Sequence, residues 1–215
     1  MKRNYFLIGG LMVAAVLIAT LIVYPHLPER VPSHWNWQGQ VDDYSAKWTL
    51  FVTMPGIMVG LLFLFAALPW LSPANFQVDT FRPTYLYIML VILGLMAYIQ
   101  AMVVWAGLNS RLKADKALMG GICLMFCLLG NVLGKVRRNF YIGIRTPWTI
   151  ADERVWYATH RFGAKSFVVG GLLAFVLALG DTSFWIPFAT IMVAALSPVV
   201  YSLFYYKRLE RQRRV

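Results

Sequence analysis

Six apolar runs, at 5–24, 49–71, 84–108, 117–134, 166–180 and 185–206, constrain this chain more than any other feature. A helix rising 1.5 Å per residue needs about 20 apolar residues to cross the hydrocarbon core of a bilayer. Five of the runs are close to that length and the fifth in order is shorter. Of the 215 residues, 60% are hydrophobic and 13% charged, against about 45–50% and 25% in an ordinary globular domain. A soluble core of this size has no room for so many apolar side chains. The reading is an all-α polytopic membrane protein with six transmembrane helices. A soluble enzyme, a disordered tail and a nucleic-acid-binding module are excluded as descriptions of the whole chain.

The formal net charge of +11 then reports on membrane orientation rather than on nucleic acid. Six spans put both termini on one side. With the amino terminus inside, the cytoplasmic segments hold fifteen Lys and Arg and the outer loops five, so both termini are expected in the cytoplasm. Only the cluster Arg111, Lys113 and Lys116 opposes this. The first run follows Lys2 and Arg3 but is longer than a signal peptide's apolar region and ends in Val23-Tyr24-Pro25 without a small-residue cleavage site. It is expected to stay as a span. Cys123 and Cys127, four apart in an apolar run, read as small buried hydrophobes.

Two connections are too long to be simple turns: the outer stretch 25–48 and the inner stretch 135–165. Connections of that length usually carry function. In the outer one, Pro25, Pro28 and Pro32 argue against a helix and for extended backbone. Trp35, Trp37 and Trp48 suit the headgroup layer, and Asn36-Trp37-Gln38-Gly39 reads as a turn. The segment is expected to lie on the membrane surface or to present a recognition surface, with His34, Trp35, Asn36, Gly39 and Asp42 as its candidate binding residues. His26, His34, Asp42 and Asp43 match no familiar metal spacing, and Glu29 with Asp42 has nothing to set it up as an acid–base pair. No metal, no cofactor and no catalytic residue is assigned.

In the inner stretch, Asn131 sits near the end of span four. Gly130 with Gly134, like Gly56 with Gly60, allows close helix approach, most simply within the chain. Thr146-Pro147 and Thr149-Ile-Ala-Asp152 both signal a helix start. The expectation is a short interfacial helix over about 148–161, ending near Gly163, with Trp156 and His160 one turn apart. Arg137, Arg138, Arg145, Arg161 and His160 are expected to form a patch for an anion or a partner. The candidate binding residues here are Asn131, Asn139, Arg145, Thr146, Pro147, Trp148, Trp156, Thr159, His160 and Arg161.

A family becomes recognisable from these residues. The outer Leu27-Pro28-Glu29-Arg30-Val31-Pro32-Ser33-His34-Trp35-Asn36, with Gly39, Asp42 and Lys47, resembles the loop of a small bacterial membrane domain of unknown function. The inner Gly130-Asn131, Asn139-Phe-Tyr-Ile-Gly-Ile-Arg145-Thr-Pro-Trp-Thr149, Val155-Trp156 and Thr159-His-Arg-Phe-Gly163 resemble the signature of the SdpI family. Arg138 stands where many relatives have proline. The resemblance implies a six-span cytoplasmic (inner) membrane protein. Its family namesake gives immunity to a secreted sporulation-delaying toxin and holds a DNA-binding repressor at the membrane.

Two domains are expected: residues 1–82, two spans around the outer loop, and 83–215, four spans around the inner motif. The implied partners are membrane lipids, a secreted peptide toxin outside and a regulatory protein inside, with no direct contact to nucleic acid. The alternatives from other classes are a membrane enzyme acting on a lipid or envelope precursor and a small-solute transporter. The first would use His160 with Glu153 or Asp152, or His34 with Asp42. The second is opposed by the scarcity of ionisable groups within the spans.

Overall fold

A computed structural model describes residues 2–36, 40–109, 114–180 and 182–213. Its long helices are α1 (Lys2–Val23), α2 (Thr53–Leu71), α3 (Arg82–Leu108), α4 (Ala114–Leu133), α6 (Glu153–Leu179) and α7 (Trp185–Arg213). Between α4 and α6 lies one short helix, α5 (Pro147–Ala151). All six long helices are long and apolar enough to cross a membrane. Their outer surface is apolar: Phe63, Val176 and Phe204 are each more than 60% exposed. Such a surface is stable against lipid and not against water. This is a multi-pass membrane protein.

Helix ends follow local chemistry. Pro25 stops α1, since it has no N–H to continue the ladder. Pro83 sits in the first turn of α3, where a missing donor costs nothing. α4 packs along α6 and α6 along α7, while α3 touches α1, α2, α4 and the outer loop. The tight spots are small residues. A Cβ on Gly130 would lie 2.9 Å from the Ala164 carbonyl, and one on Gly171 2.9 Å from the Cys123 carbonyl. Gly56 and Gly60, read as a helix-packing pair, face open space instead. Cys123 is buried and Cys127 half-buried, both as free thiols.

Several polar groups inside the spans are satisfied by neighbouring elements. Gln100 donates from Nε2 to Thr20 Oγ1 at 3.0 Å and to the Leu50 carbonyl at 2.9 Å, joining α1, α3 and the 47–51 turn. Ser166 bonds Ser197 Oγ and the Ala194 carbonyl, both at 2.9 Å, between α6 and α7.

Two parts of the chain differ from the sequence reading. The outer segment is not only extended: β1 (Arg30–Trp35) and β2 (Val41–Ala46) form an antiparallel hairpin. Pro32 is accommodated because the register shifts next to it, and a bulge does not need the missing donor. The inner helix expected over 148–161 is two elements. Asp152, at φ −131° and ψ 121°, breaks the chain and then caps α6, its Oδ1 accepting from Arg154 N at 2.9 Å. The Thr146-Pro147 signal starts α5, whereas Thr149 belongs to that same helix's capping box and Asp152 starts α6. The fifth span is therefore the continuous 27-residue α6, about 40 Å long, and its first turns project beyond the apolar run at 166–180.

Candidate functional site

The motif residues gather at one end of the bundle, where α2 and α4 end and α3 and α6 begin. The segment 134–146 closes this end as a cap with almost no regular structure, so its backbone groups need side-chain partners. Asn139 supplies four of them. Its Nδ2 donates to the Arg137 and Ile142 carbonyls at 2.8 and 2.9 Å, and its Oδ1 accepts from Tyr141 N and Ile142 N at 2.8 and 2.7 Å. The side chain is fully buried, so every donor and acceptor of the amide is used within the fold.

Trp156 and His160, one turn apart on α6, hold the cap to the bundle. Trp156 Nε1 donates to the Val136 carbonyl at 2.8 Å. The imidazole stacks on the indole with centroids 4.1 Å apart and planes at 21°. His160 Nδ1 lies 2.8 Å from the Trp156 carbonyl, and Nε2 receives Ile144 N–H at 3.0 Å. A carbonyl beside Nδ1 and a donor facing Nε2 fix a neutral ring protonated on Nδ1. Gly143 passes the same nitrogen with φ +113°, a conformation that favours glycine.

The threonines cap α5. Thr146 and Thr149 form a reciprocal box, with Thr146 N donating to Thr149 Oγ1 at 2.8 Å and Thr149 N to Thr146 Oγ1 at 3.2 Å. Pro147 follows at the first helical position. Trp148 Nε1 donates to Ser202 Oγ on α7, and Ser202 donates in turn to the Val199 carbonyl. Arg145 is exposed and donates to the Phe140 carbonyl. Thr159 is buried on α6, and its hydroxyl has no hydrogen-bond partner.

Two expectations are corrected here. His160 and Trp156 are not on a surface helix; both are fully buried, because α6 continues into the bundle where a connector was expected. Arg137, Arg138, Arg145, Arg161 and His160 do not form one patch. His160 points into the cap, Arg145 and Arg161 lie exposed outside it, and only Arg137 and Arg138 share a cleft. Asn131 is exposed on α4, apart from the cap network. The Asn139 network was not foreseen; Asn followed by glycine four residues later was its only sequence signal.

The opposite end carries the hairpin. His34 Nδ1 lies 2.6 Å from Asp42 Oδ1, both side chains well exposed. Asn36 and Gln40 pair with each other: Asn36 N donates to the Gln40 carbonyl at 2.9 Å and its Oδ1 accepts from Gln40 N at 3.0 Å, while the rest of the turn expected over 36–39, Gly39 included, lies outside the described residues. Trp35 is half-buried against Leu27, Val31, Leu50 and Val103, and its Nε1 has no hydrogen-bond partner. Lys47 clamps the base, pairing with Glu29 at 3.0 Å, donating to the Leu27 carbonyl at 3.4 Å and lying 4.8 Å over the Tyr24 ring. Among the described residues, no three His, Cys, Asp or Glu side chains come together as a metal would require.

The geometry defines a class: a six-helix membrane protein with a hydrogen-bonded cap at one end and an exposed hairpin at the other. Residues 135–202 match the SdpI/YfhL protein family, and residues 11–59 match a domain of unknown function (DUF1648). The first match takes in the cap, α5, α6 and most of α7, and the second takes in the hairpin. Over nearly its whole length the chain is similar to Immunity protein SdpI of Bacillus subtilis (strain 168), 28% identical over 216 residues that cover 99% of this chain and 100% of that protein. No solved structure matches the chain.

Proposed function

We propose that this protein is a non-catalytic membrane immunity protein, which protects its cell from a secreted peptide toxin and engages a cytoplasmic regulator. The observation that carries the reading is the end-to-end similarity to Immunity protein SdpI, which spans both the hairpin and the cap. The excess of Lys and Arg at the cap end and the two termini supports a cytoplasmic cap and an external hairpin. The hairpin then offers the toxin-facing groups His34, Trp35, Asn36 and Asp42. Arg145 and Arg161, exposed beside the cap, are the groups a regulator would meet. The inward-facing motif residues Asn139, Thr146, Pro147, Trp148, Trp156, Thr159 and His160 position them. Residues 1–82 and 83–215 are read as the toxin-facing and the regulator-facing domain. The engagement of both His160 ring nitrogens supports a structural role for that ring rather than acid–base work.

A survival assay tests this. Toxin-sensitive cells would carry the full chain, its Arg145→Ala variant or an empty vector, with each protein confirmed in the membrane fraction, and would then meet the sporulation-delaying toxin. Protection by the full chain, retained in Arg145→Ala, is the expected result. Killing equal to the empty vector overturns immunity to this toxin. A reporter fused at the carboxyl terminus, active only in the cytoplasm, tests the orientation independently.

A further inference from the structure

A polar cleft of about 340 Å³ opens beside the cap, lined by Asn75 and Thr80 from the α2–α3 connection, Arg137 and Arg138 from the cap, and Glu153 and Tyr157 from the first turns of α6. The cation side is held in place. Arg137 Nη1 donates to the Tyr157 hydroxyl at 2.7 Å, with its guanidinium 5.6 Å from the centre of that ring. Arg138 Nη1 donates to the Ile150 carbonyl at 3.2 Å, and its guanidinium lies 5.2 Å over Phe76. Each arginine therefore keeps most of its donors for something else while its stem is fixed.

The anion side is Glu153. It is exposed and within electrostatic reach of Arg137, yet it forms no ion pair among the described residues. Two guanidiniums and one uncommitted carboxylate around one cleft call for a ligand that carries both signs of charge a short distance apart.

The position narrows the ligand further. α2 ends at Leu71, four residues before the cleft's Asn75, and Trp70 in its last turn is 86% exposed, as an indole in the interfacial belt is. Tyr141 donates to the Leu71 carbonyl at 2.8 Å, and Phe140, itself half-exposed, packs on Phe76 with centroids 4.3 Å apart. The cleft thus opens at the headgroup layer, next to apolar surface that meets the acyl chains. A free metabolite needs no such neighbours.

We propose that this cleft binds the headgroup of a phospholipid bearing a primary ammonium beside its phosphate, with the phosphate on Arg137 and Arg138 and the ammonium on Glu153. Phosphatidylethanolamine is the simplest lipid of this chemistry. Asn75, Thr80 and Tyr157 add neutral hydrogen-bonding groups for the phosphate and ester oxygens.

The test is lipid retention by the full chain. The protein would be reconstituted into vesicles of equimolar phosphatidylethanolamine and phosphatidylglycerol, released, and its bound lipids weighed by native mass spectrometry, with and without added inorganic phosphate. The expected result is preferential retention of phosphatidylethanolamine. The preference falls about fivefold to tenfold in Glu153→Gln, which loses one charge-assisted contact, and Arg137→Gln loses both lipids. Both substituted residues are exposed, and matching melting curves would show that the variants fold. Equal retention of the two lipids, an unchanged preference in Glu153→Gln, or displacement of lipid by inorganic phosphate would each overturn the proposal. The last would mark a site for soluble anions.

Discussion

Gly143 lies directly against His160: a Cβ at position 143 would overlap the imidazole Nε2, and the backbone there is at φ +113°. The glycine lets the cap pass close enough for Ile144 N–H to reach that nitrogen. The motif residues Gly143, Ile144 and His160 thus form one contact, although sixteen residues separate the last two.

Gly143→Ala meets both penalties at once. A left-handed conformation costs a non-glycine residue about 1–2 kcal/mol, and overpacking typically costs a further 1–3 kcal/mol. Thermal unfolding in detergent should show a midpoint lowered by about 4–20 °C for a chain of this size. An unchanged midpoint would mean that the cap moves away from α6 without penalty.

Asn139→Ala leaves two backbone N–H groups and two carbonyls of the cap without their partners. Each unmet buried group costs about 1–3 kcal/mol before relaxation and water entry, so a net loss of about 2–5 kcal/mol is expected. Arg145→Ala removes one exposed contact and should stay within about 1 kcal/mol. Limited proteolysis across 137–145 distinguishes them: rapid cleavage in the first, native resistance in the second.

Part of this was legible from sequence alone, and the physics of each signal explains which part. Apolar runs of bilayer length reveal spans because lipid demands them wherever they occur. Thr146-Pro147 marked one helix start and Thr149 with Asp152 another, and signals so close together left too little room to recognise two helices. Asp152 was read as the far end of a capping box, whereas it caps α6 itself. The hairpin was hidden by Pro32, which counts against a strand until a bulge excuses it. The inward turn of His160 had no local signal, since a basic, aromatic helix start looks the same on a surface as beneath a cap.

On the hairpin, the His34–Asp42 pair is exposed, and exposed pairs contribute about 0–1 kcal/mol. Asp42→Asn should therefore leave the melting midpoint unchanged while lowering survival under toxin severalfold, as expected of a contact residue. Lys47→Ala should lower both, because it loosens the hairpin base. Full protection by Asp42→Asn in a killing curve would remove the His34–Asp42 pair from the toxin-facing surface.

Helix packing gives a paired comparison. Gly171→Ala places a Cβ 2.7 Å from Cys127 Sγ and 2.9 Å from the Cys123 carbonyl, so α4 and α6 must separate, at about 1–3 kcal/mol. Gly60→Ala enters open space and gains helix propensity worth about 0.5–1 kcal/mol. The two midpoints should move in opposite directions.

α3 meets the outer segment at Gly107, where Leu27 and Val31 pack against it, and at its other end Tyr85 belongs to the same buried cluster as Val136 of the cap and Trp156. Pro69 interrupts α2 and Pro198 interrupts α7, but the only proline of α3 is in its first turn. The two ends of the molecule are therefore joined by a single unjointed spar, about 40 Å from tip to tip. A stiff spar moves by sliding or turning as a whole, so on the proposed reading a toxin bound at the hairpin would reach the cap as a change in helix position, without a hinge in between.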